Sequence, residues 1–181
     1  MSLPKPTLST VASKKPRETA GSAAVTAFDF QVNVSMARIL ELHQQGKQFV
    51  AVFDHHDDLV LFVEEGDGSE LSFYQVKSRS KPTWTAKKLA QRAAKGDLPR
   101  SIVGKAYYNV VQFGAEIRRA SILSNRPLSA TLTSAATSAL HDGELAVADL
   151  CVADQASVIK SLVSRFPLIT DWWSIGMSSR M

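Results

Sequence analysis

The sequence has one cysteine and no apolar run long enough to cross a membrane. A single thiol, Cys151, excludes an internal disulfide and suits a reducing cytoplasm. A membrane-spanning helix needs about 18 consecutive apolar residues, and the N-terminal segment also lacks the apolar core of a signal peptide. We therefore expect a soluble, cytoplasmic protein that has no membrane partner.

Lysine and arginine are missing from Asp54 to Glu70, a stretch that holds seven acidic residues. From Lys77 to Lys105 the pattern reverses, with nine basic residues against the single acid Asp97. The net charge of the chain is only +4, so this segregation is more informative than the total. An acidic stretch followed by a basic one favours a metal site beside a surface that binds a polyanion.

The chain has 181 residues, enough for one hydrophobic core and too few for two full-sized domains. Residues 1–16 contain three prolines and no periodicity, which predicts a mobile leader. We assign residues 17–168 to one globular domain. Residues 169–181, which include Trp172 and Trp173, are predicted to form a C-terminal tail or a domain border.

The stretch from Phe53 to Lys77 has the pattern of a β-hairpin. Two apolar runs, Leu59–Val63 and 71–77, flank the turn residues at 66–68. Side chains two apart in a strand share a face, so Gln75 and Lys77 point the same way. Paired strands lie about 4.8 Å apart, so the hairpin brings an acid of the preceding turn opposite this strand end.

That grouping has a chemical use. Asp58, or Asp57 if the register differs by one, can supply a carboxylate beside the amide oxygen of Gln75 and the backbone carbonyl of Val76. These hard oxygens suit Mg²⁺, with Mn²⁺ as the alternative ion. Lys77 can orient or polarise the attacking water and offset charge on a phosphate. The arrangement predicts hydrolysis of a phosphodiester.

Helices and a further strand complete the expected fold. The spacing predicts a first helix over about 19–45, ended by Gly46, and a strand over 47–53. Later patterns predict a helix over about 100–119 and a strand over 121–124, then a loop or edge strand over 128–140 and a short strand over 143–151. A helix capped by Asp154 follows to about residue 165. The fold class is α+β, a mixed sheet of four to five strands flanked by helices.

A basic ridge is expected after the hairpin. Thr85 is a suitable N-cap for a helix running to about Lys95, which would align Lys88, Arg92 and Lys95 on one face. Such a ridge can lie along DNA phosphates and contributes salt-sensitive affinity. The other predicted DNA-binding residues are Lys81 and Lys105. Because no base-reading signature is present, we expect loose sequence specificity.

The hairpin residues resemble a known nuclease pattern. Asp58, a spacer and Gln75-Val76-Lys77 are similar to the motif of the PD-(D/E)xK nuclease superfamily, in the Gln variant found in Mrr-like restriction enzymes. The predicted order of elements matches the αβββαβ core of that superfamily, with one helix doubled. The resemblance implies the restriction-endonuclease-like fold and the metal-assisted chemistry described above.

A closer resemblance covers about residues 17–165. The segments that carry it are RETAGSAAVTAFDFQ, LELH, VFDHHDDLV, FYQVKS, W-T at Trp84, I-x-GK-x-Y and LSN-x-P at 123–127. Together they resemble the double-stranded DNA endonuclease domain of SAVED-containing effectors in CBASS, an antiphage defence system. This resemblance implies double-stranded DNA as substrate. It also implies a SAVED-like sensor domain or a HerA-like ATPase as partner, and an oligomer when active. Gln31, on the first helix, becomes a candidate accessory ligand or water holder.

Two other interpretations stay open at this point. A non-catalytic DNA-binding module could keep the same fold, since the amide of Gln75 is a weaker metal ligand than a carboxylate. The doublet His56-Asp57 is also the signature of helical HD-type metal phosphohydrolases, although here it falls between strand-like runs.

Overall fold

The structure, a computed structural model, describes residues 20–66, 68–91 and 101–163. The elements in chain order are helix α1 (Ala20–Gln44), strands β1 (Phe49–His55), β2 (Asp57–Glu65), β3 (Gly68–Lys77) and β4 (Trp84–Thr85), helices α2 (Ala86–Ala90) and α3 (Ile102–Phe113), strands β5 (Ile117–Ser124), β6 (Leu128–Ala130) and β7 (Ala139–His141), and helix α4 (Val152–Val163). Short 3₁₀ turns precede β5 and α4. This mixed α+β architecture confirms the predicted fold class.

The main sheet has four strands in the order β1-β2-β3-β5. The first three form an antiparallel meander, as the sequence predicts, and β5 pairs parallel to β3 after a crossover through α3. A second sheet of three short strands has the order β4-β6-β7. The parallel pair matters for function because the carboxyl ends of β3 and β5 lie side by side, where connecting segments can build a site.

The main sheet is covered on both faces. Leu59, Leu61 and Val63 pack toward α1 with Tyr74. The alternate side chains Val60, Leu71 and Phe73 pack on the other face against Phe113 of α3. Period-two alternation in β2 and β3 divides the core between the two helices. The end of β2 that carries Asp57 and Asp58 consequently continues from a strand whose apolar side chains are packed on both faces.

Helix α1 runs as predicted, and Gly46 with φ of 67° follows its C-terminus in the left-handed conformation that glycine favours. Its spaced apolar side chains at 25, 28, 32, 36 and 40 are exposed, while Ser35, Ile39 and Leu42 face the sheet. Helical spacing in a sequence identifies side chains that share a face, and it does not say which face meets the core.

Helix α2 is much shorter than predicted. Thr85 caps it as expected, accepting a hydrogen bond from the Lys88 backbone N–H at 3.2 Å, but Gln91 is already extended. Among the described residues the helix ends at Ala90, before the predicted ridge position Arg92. Arg92 and Lys95 themselves lie outside the described residues.

The boundary between α3 and β5 also differs from the prediction. Ser101 caps α3 by accepting from the Gly104 N–H at 2.8 Å. The helix ends at Phe113, so Ile117 and the following arginines belong to β5 rather than to the helix. Ile117 still packs into the core, because a strand residue entering the sheet can occupy the position expected for the next helical turn.

The C-terminal part contains two further differences. The predicted strand over 143–151 is a 3₁₀ turn, Val147–Asp149, with one bridge between Leu132 and Leu150. Asp154 lies inside the first turn of α4, where its carboxylate accepts from the Thr131 N–H at 3.3 Å. Residues 128–140, predicted as a loop or an edge strand, contain β6 at the centre of the second sheet and the start of β7 at its edge.

The predicted leader (1–16) and tail (169–181) lie outside the described residues. Within the described parts of the chain, no helix combines the length and apolarity that a transmembrane crossing requires.

Candidate active site

One carboxylate oxygen of Asp58 gathers donors from the end of the facing strand. Asp58 Oδ2 accepts from Gln75 Nε2 at 2.5 Å and from the Val76 backbone N–H at 2.6 Å. The ammonium nitrogen of Lys77 lies 3.5 Å from the same oxygen. We call Asp58, Gln75, Val76 and Lys77 the Asp58 cluster. The residues that the sequence pattern singled out therefore converge on one atom, Asp58 Oδ2.

The strand register explains this convergence. Leu59 faces Tyr74 and Val60 faces Phe73 in the antiparallel pair. One step further, Asp58 falls opposite Gln75 and on the same face, the side of the sheet that α3 covers. A register shifted by one residue would have placed Asp57 there, so the structure puts Asp58 and not Asp57 beside Gln75.

The Asp58 cluster is partly enclosed. Gln75 is 4% exposed, whereas the side chains of Lys77 and Asp58 retain 28% and 20% of their accessible surface. Reduced access to water strengthens the attraction between carboxylate and ammonium. The remaining exposure leaves the carboxylate and the ammonium accessible to a ligand.

Asp57 is held by a different element. Its Oδ2 accepts from Asn109 Nδ2 of α3 at 3.1 Å, and its Oδ1 accepts from the Asp58 backbone N–H. Burial raises the pKa of Asp57 to about 6, and the neighbouring charge of Asp58 adds to the rise. The Asp58 N–H, Lys77 and Lys105 oppose it. Two adjacent carboxyl groups thus differ in environment, one paired with a lysine and the other buried against an amide.

The turn before Asp57 uses strained backbone. Asp54 and His56 have φ of 53° and 62°, in the left-handed region where Asp and His are tolerated better than most residues. Strict alternation along a strand would turn Asp57 away from α3, yet its carboxylate reaches Asn109. The left-handed backbone at Asp54 and His56 interrupts the regular strand geometry, which lets the Asp57 side chain turn toward α3. Irregular backbone of this kind is often found beside functional sites.

Gln31 contacts this turn rather than the Asp58 cluster. Its Nε2 donates to Asp54 Oδ1 at 2.9 Å, which ties α1 to the end of β1. The structure therefore places Gln31 in direct contact with the strained turn and does not bring it to Asp58. Its role as an accessory ligand stays a prediction.

The His56-Asp57 doublet does not form a metal centre of the HD type. His55 and His56 are exposed and stack edge to face at 4.4 Å, and His56 also contacts the ring of Phe113. They lie in a β-hairpin and not on helices. Across residues 20–66, 68–91 and 101–163, no cluster of three or more His, Cys, Asp or Glu side chains could hold a metal.

The predicted DNA-binding lysines at 81, 88 and 105 make no contact with the Asp58 cluster in the described residues. Lys81, Lys88 and Lys105 are exposed, and Lys105 on α3 is near enough for its charge to act on Asp57. Lys88 donates to Gln91 Oε1 at the end of α2. The structure gathers none of these three into the Asp58 cluster, so each stays a predicted contact for the DNA backbone.

A family model described as Cap4, dsDNA endonuclease domain matches residues 19–164. The chain belongs to this family. The match includes every element from α1 to α4 and confirms the resemblance found in the sequence. The match assigns residues 19–164 to the family's dsDNA endonuclease domain.

The chain is also similar to a curated protein. The Lamassu protein LmuA of Bacillus cereus (strain VD014) is 26% identical over 112 residues, which make up 62% of this chain. The matched segment covers 30% of LmuA, so the chain corresponds to less than a third of that relative's length. No solved structure matches the chain.

The donor set of this Cap4 domain fits a hard divalent cation. Asp58 offers a carboxylate, and Gln75 and Val76 offer an amide and a backbone oxygen at the same strand end. The Gln75 amide presents its nitrogen to Asp58, and rotation about its terminal bond exchanges nitrogen and oxygen. The donors are hard oxygens with one full negative charge, which suits Mg²⁺ or Mn²⁺ shared with substrate phosphate.

Asn109 is the residue that sequence reasoning missed in this Cap4 domain. It is 2% exposed and lies on α3 between Ala106 and Phe113, on the stripe that packs into the core. A buried polar side chain needs a hydrogen-bond partner. An asparagine on an otherwise apolar helix stripe was therefore the feature of the sequence that could have identified it. Its partner, Asp57, is distant in sequence and could not be named without the fold.

Proposed function

We propose that this chain is a metal-dependent endonuclease that hydrolyses the backbone of double-stranded DNA with loose sequence specificity, using Mg²⁺ or Mn²⁺. The observation that carries the proposal is the Asp58 cluster, in which a carboxylate, an amide, a backbone amide and a lysine meet at one strand end. Membership in the Cap4 endonuclease family supplies the substrate class.

The residues divide into ligands and an activating group. Asp58, the Gln75 amide oxygen and the Val76 carbonyl would hold the ion, which would polarise the phosphate and lower the pKa of the attacking water. Lys77 lies beside Asp58 and can hold a water by hydrogen bonding while its charge offsets the negative charge that develops on the phosphate. The partial exposure of both side chains lets a phosphate approach.

Plasmid cleavage tests the proposal. Supercoiled plasmid incubated with the protein should be cut in Mg²⁺ or Mn²⁺ and stay intact in EDTA. Asp58→Asn keeps the size and most hydrogen bonds of the side chain but removes the ligand charge, so cutting should fall by about 100-fold or more. Lys160→Ala, at an exposed position on α4, serves as the control and should cut at the parental rate.

The rival function is a DNA-binding module without catalysis, and the neutral Gln75 in the ligand set is what favours it. Binding to duplex DNA without cleavage in either metal would establish that rival. Sequencing of the cut ends tests the expected loose specificity, which a single long recognition site would contradict.

We further propose that the activity serves antiphage defence and depends on assembly. LmuA is a Lamassu protein, and the segment that matches this chain makes up 30% of its length. The sequence also resembles nuclease domains that act beside a SAVED-like sensor or a HerA-like ATPase. A loosely specific nuclease needs a gate, so activity should rise with protein concentration or with such a partner. Solution mass combined with a cleavage titration tests this, and a monomer that cuts at full rate would contradict it.

A further inference from the structure

Two arginines lie at the same end of the sheet as the Asp58 cluster and have no part in the chemistry above. Arg79 follows Lys77 by two residues at the end of β3, and Arg126 follows Ser124 by two at the end of β5. Lys77 and Ser124 are partners in the parallel pair. The two arginines therefore leave adjacent strands at the same edge.

One asparagine, Asn125, clamps the backbone of Arg79 to the segment that carries Arg126. Asn125 Oδ1 accepts from the Arg79 backbone N–H at 3.1 Å, and its Nδ2 donates to the Arg79 carbonyl at 3.4 Å. Arg126 Nε donates to the same carbonyl at 3.3 Å. Three hydrogen bonds thus fix the two segments to one another.

Trp84 holds the side chain of Arg79. The Arg79 Cζ lies 4.4 Å from the centroid of the Trp84 ring, a stacked cation–π contact. Trp84 is 8% exposed, and its Nε1 donates to Ser124 Oγ at 2.6 Å. The indole is therefore a buried support and not a surface on which a base could stack. The W-T and LSN-x-P segments of the sequence meet here around Arg79.

Neither guanidinium contacts a carboxylate within the described parts of the chain. By contrast, Arg38, Arg118 and Arg119 each lie within 3.3 Å of a glutamate. Arg79 and Arg126 instead bond to, or stack on, neutral groups. Two cations fixed at the ends of adjacent strands, with no carboxylate partner among the described residues, favour an anion. The planar fork of arginine matches a phosphate.

We propose that Arg79 and Arg126 form a phosphate-binding site that holds the DNA backbone beside the bond to be cut. This inference rests on the proposed function and adds the site that positions the strand. Two extended residues span at most about 7 Å, and each strand of duplex DNA carries a phosphate per about 3.4 Å of helix axis. The arginines consequently reach a phosphate within a few nucleotides of Lys77, and they read charge and not sequence.

DNA-binding measurements in EDTA separate this site from catalysis. Fluorescence anisotropy with a labelled duplex oligonucleotide, repeated over a range of salt, gives both the Kd and its salt dependence. Arg126→Ala should raise the Kd about fivefold or more and lower the salt slope by about 0.9 for each lost phosphate contact. Arg126→Lys should keep the salt slope near the parental value, because the charge remains, and should recover part of the affinity.

The matched control is Arg119→Ala, on the opposite end of β5, where the arginine is paired with Glu144 at 2.7 Å. It should leave both the Kd and the slope near the parent. Arg126 is exposed, so its replacement should not alter the melting temperature by more than about 2 °C. Arg79→Ala, which also removes the stack on Trp84, should weaken binding at least as much as Arg126→Ala.

The outcomes are distinguishable. A parent that cuts and binds DNA, together with an Arg126→Ala variant of unchanged Kd and salt slope, overturns this inference and leaves the proposed function standing. Equal losses in Arg126→Ala and Arg119→Ala also overturn it, because they show a general effect of net charge. A parent that neither binds nor cuts duplex DNA overturns both proposals. A loss confined to the Arg79 and Arg126 variants supports the site.

Discussion

Asn109 of α3 donates from Nδ2 to Oδ2 of Asp57, across 3.1 Å and 52 positions of sequence. This bond connects the helix that covers the sheet to the first residue of the strand that carries Asp58. Because Asp57 and Asp58 are neighbours, any shift of one moves the backbone of the other. The bond therefore links core packing to the position of the proposed metal ligand.

Replacing Asn109 with Ala should damage both stability and cleavage. The Asp57 carboxylate would lose a donor in a partly buried place, which costs about 1–3 kcal/mol. Released from α3, the strand end should hold Asp58 less accurately, and the cutting rate should fall about tenfold or more. Urea unfolding and plasmid cleavage measure the two effects. Gln112→Ala, at an exposed position of the same helix, is the control, and equal losses in both variants would contradict the role of the Asn109 bond.

The pKa of Asp57 predicts how stability without metal depends on pH. Burial raises this pKa from 3.8 to about 6, so the folded state binds a proton more tightly than the unfolded state does. The stabilisation from that proton is complete below about pH 4 and is lost as pH rises to about 6. Because Asp57 is partly exposed and solvent weakens the effect, we expect the free energy of unfolding to fall by only about 1 kcal/mol over this window.

Asp57→Asn tests that expectation in EDTA. The variant cannot ionise, so it should be about 1 kcal/mol more stable than the parent at pH 7, and its stability should change less between pH 4 and pH 6. Urea midpoints at a series of pH values give the comparison. Asp142→Asn, at an exposed position, should follow the parent. A pH dependence in Asp57→Asn that equals the parent's would refute the assignment.

Lys77→Ala should separate chemistry from binding. Asp58 keeps its bonds from Gln75 and Val76 in this variant, so the fold should persist. Loss of the charge beside the scissile phosphate should lower the cleavage rate by about 100-fold or more. Duplex binding in EDTA should change only a few-fold, since one phosphate contact at most is lost. If the variant cuts at the parental rate, Lys77 does not position the water.

Ser35 offers a prediction about stability alone. It is fully buried on α1, and within the described parts of the chain its hydroxyl has no hydrogen-bond partner. Ser35→Ala removes the unsatisfied group and improves helix propensity, so it should stabilise the protein by about 0.5–1.5 kcal/mol. Thermal unfolding measures the change. Cleavage should be unaltered, and a destabilised variant would show that the hydroxyl has a partner, such as a water.

The residues from Phe53 to Lys77 show how much local pattern can determine. Two apolar runs around a glycine turn specify a hairpin, and the period-two alternation puts Gln75 and Lys77 on one face. The choice between Asp57 and Asp58 depends on a one-residue register, which the pattern left open. Packing of Val60 against Phe73 resolves it, because a slip of one residue would turn the core side chains of β2 to the wrong face.

The sequence was less informative where elements end. The apolar stripe of α3 continues through Ile117, so the periodicity extended the helix into what is β5. Strand pairing with β3 stabilises the extended conformation there, and such a contact is not visible in a local window. The same limitation lengthened α2, which ends at Ala90 although alanine and lysine continue beyond it.

The sequence alone determined the α+β class, the meander of three strands and the residue types that converge at its end, because these follow from the spacing of apolar side chains and from glycine at a turn. Tertiary structure alone decided which acid meets Gln75, that Asn109 supports Asp57, and that Arg79, Trp84 and Arg126 assemble at the ends of β3 and β5. These contacts join residues that are up to 52 positions apart. Their partners are chosen by how helices and strands pack together, and side-chain spacing along the chain does not specify that choice.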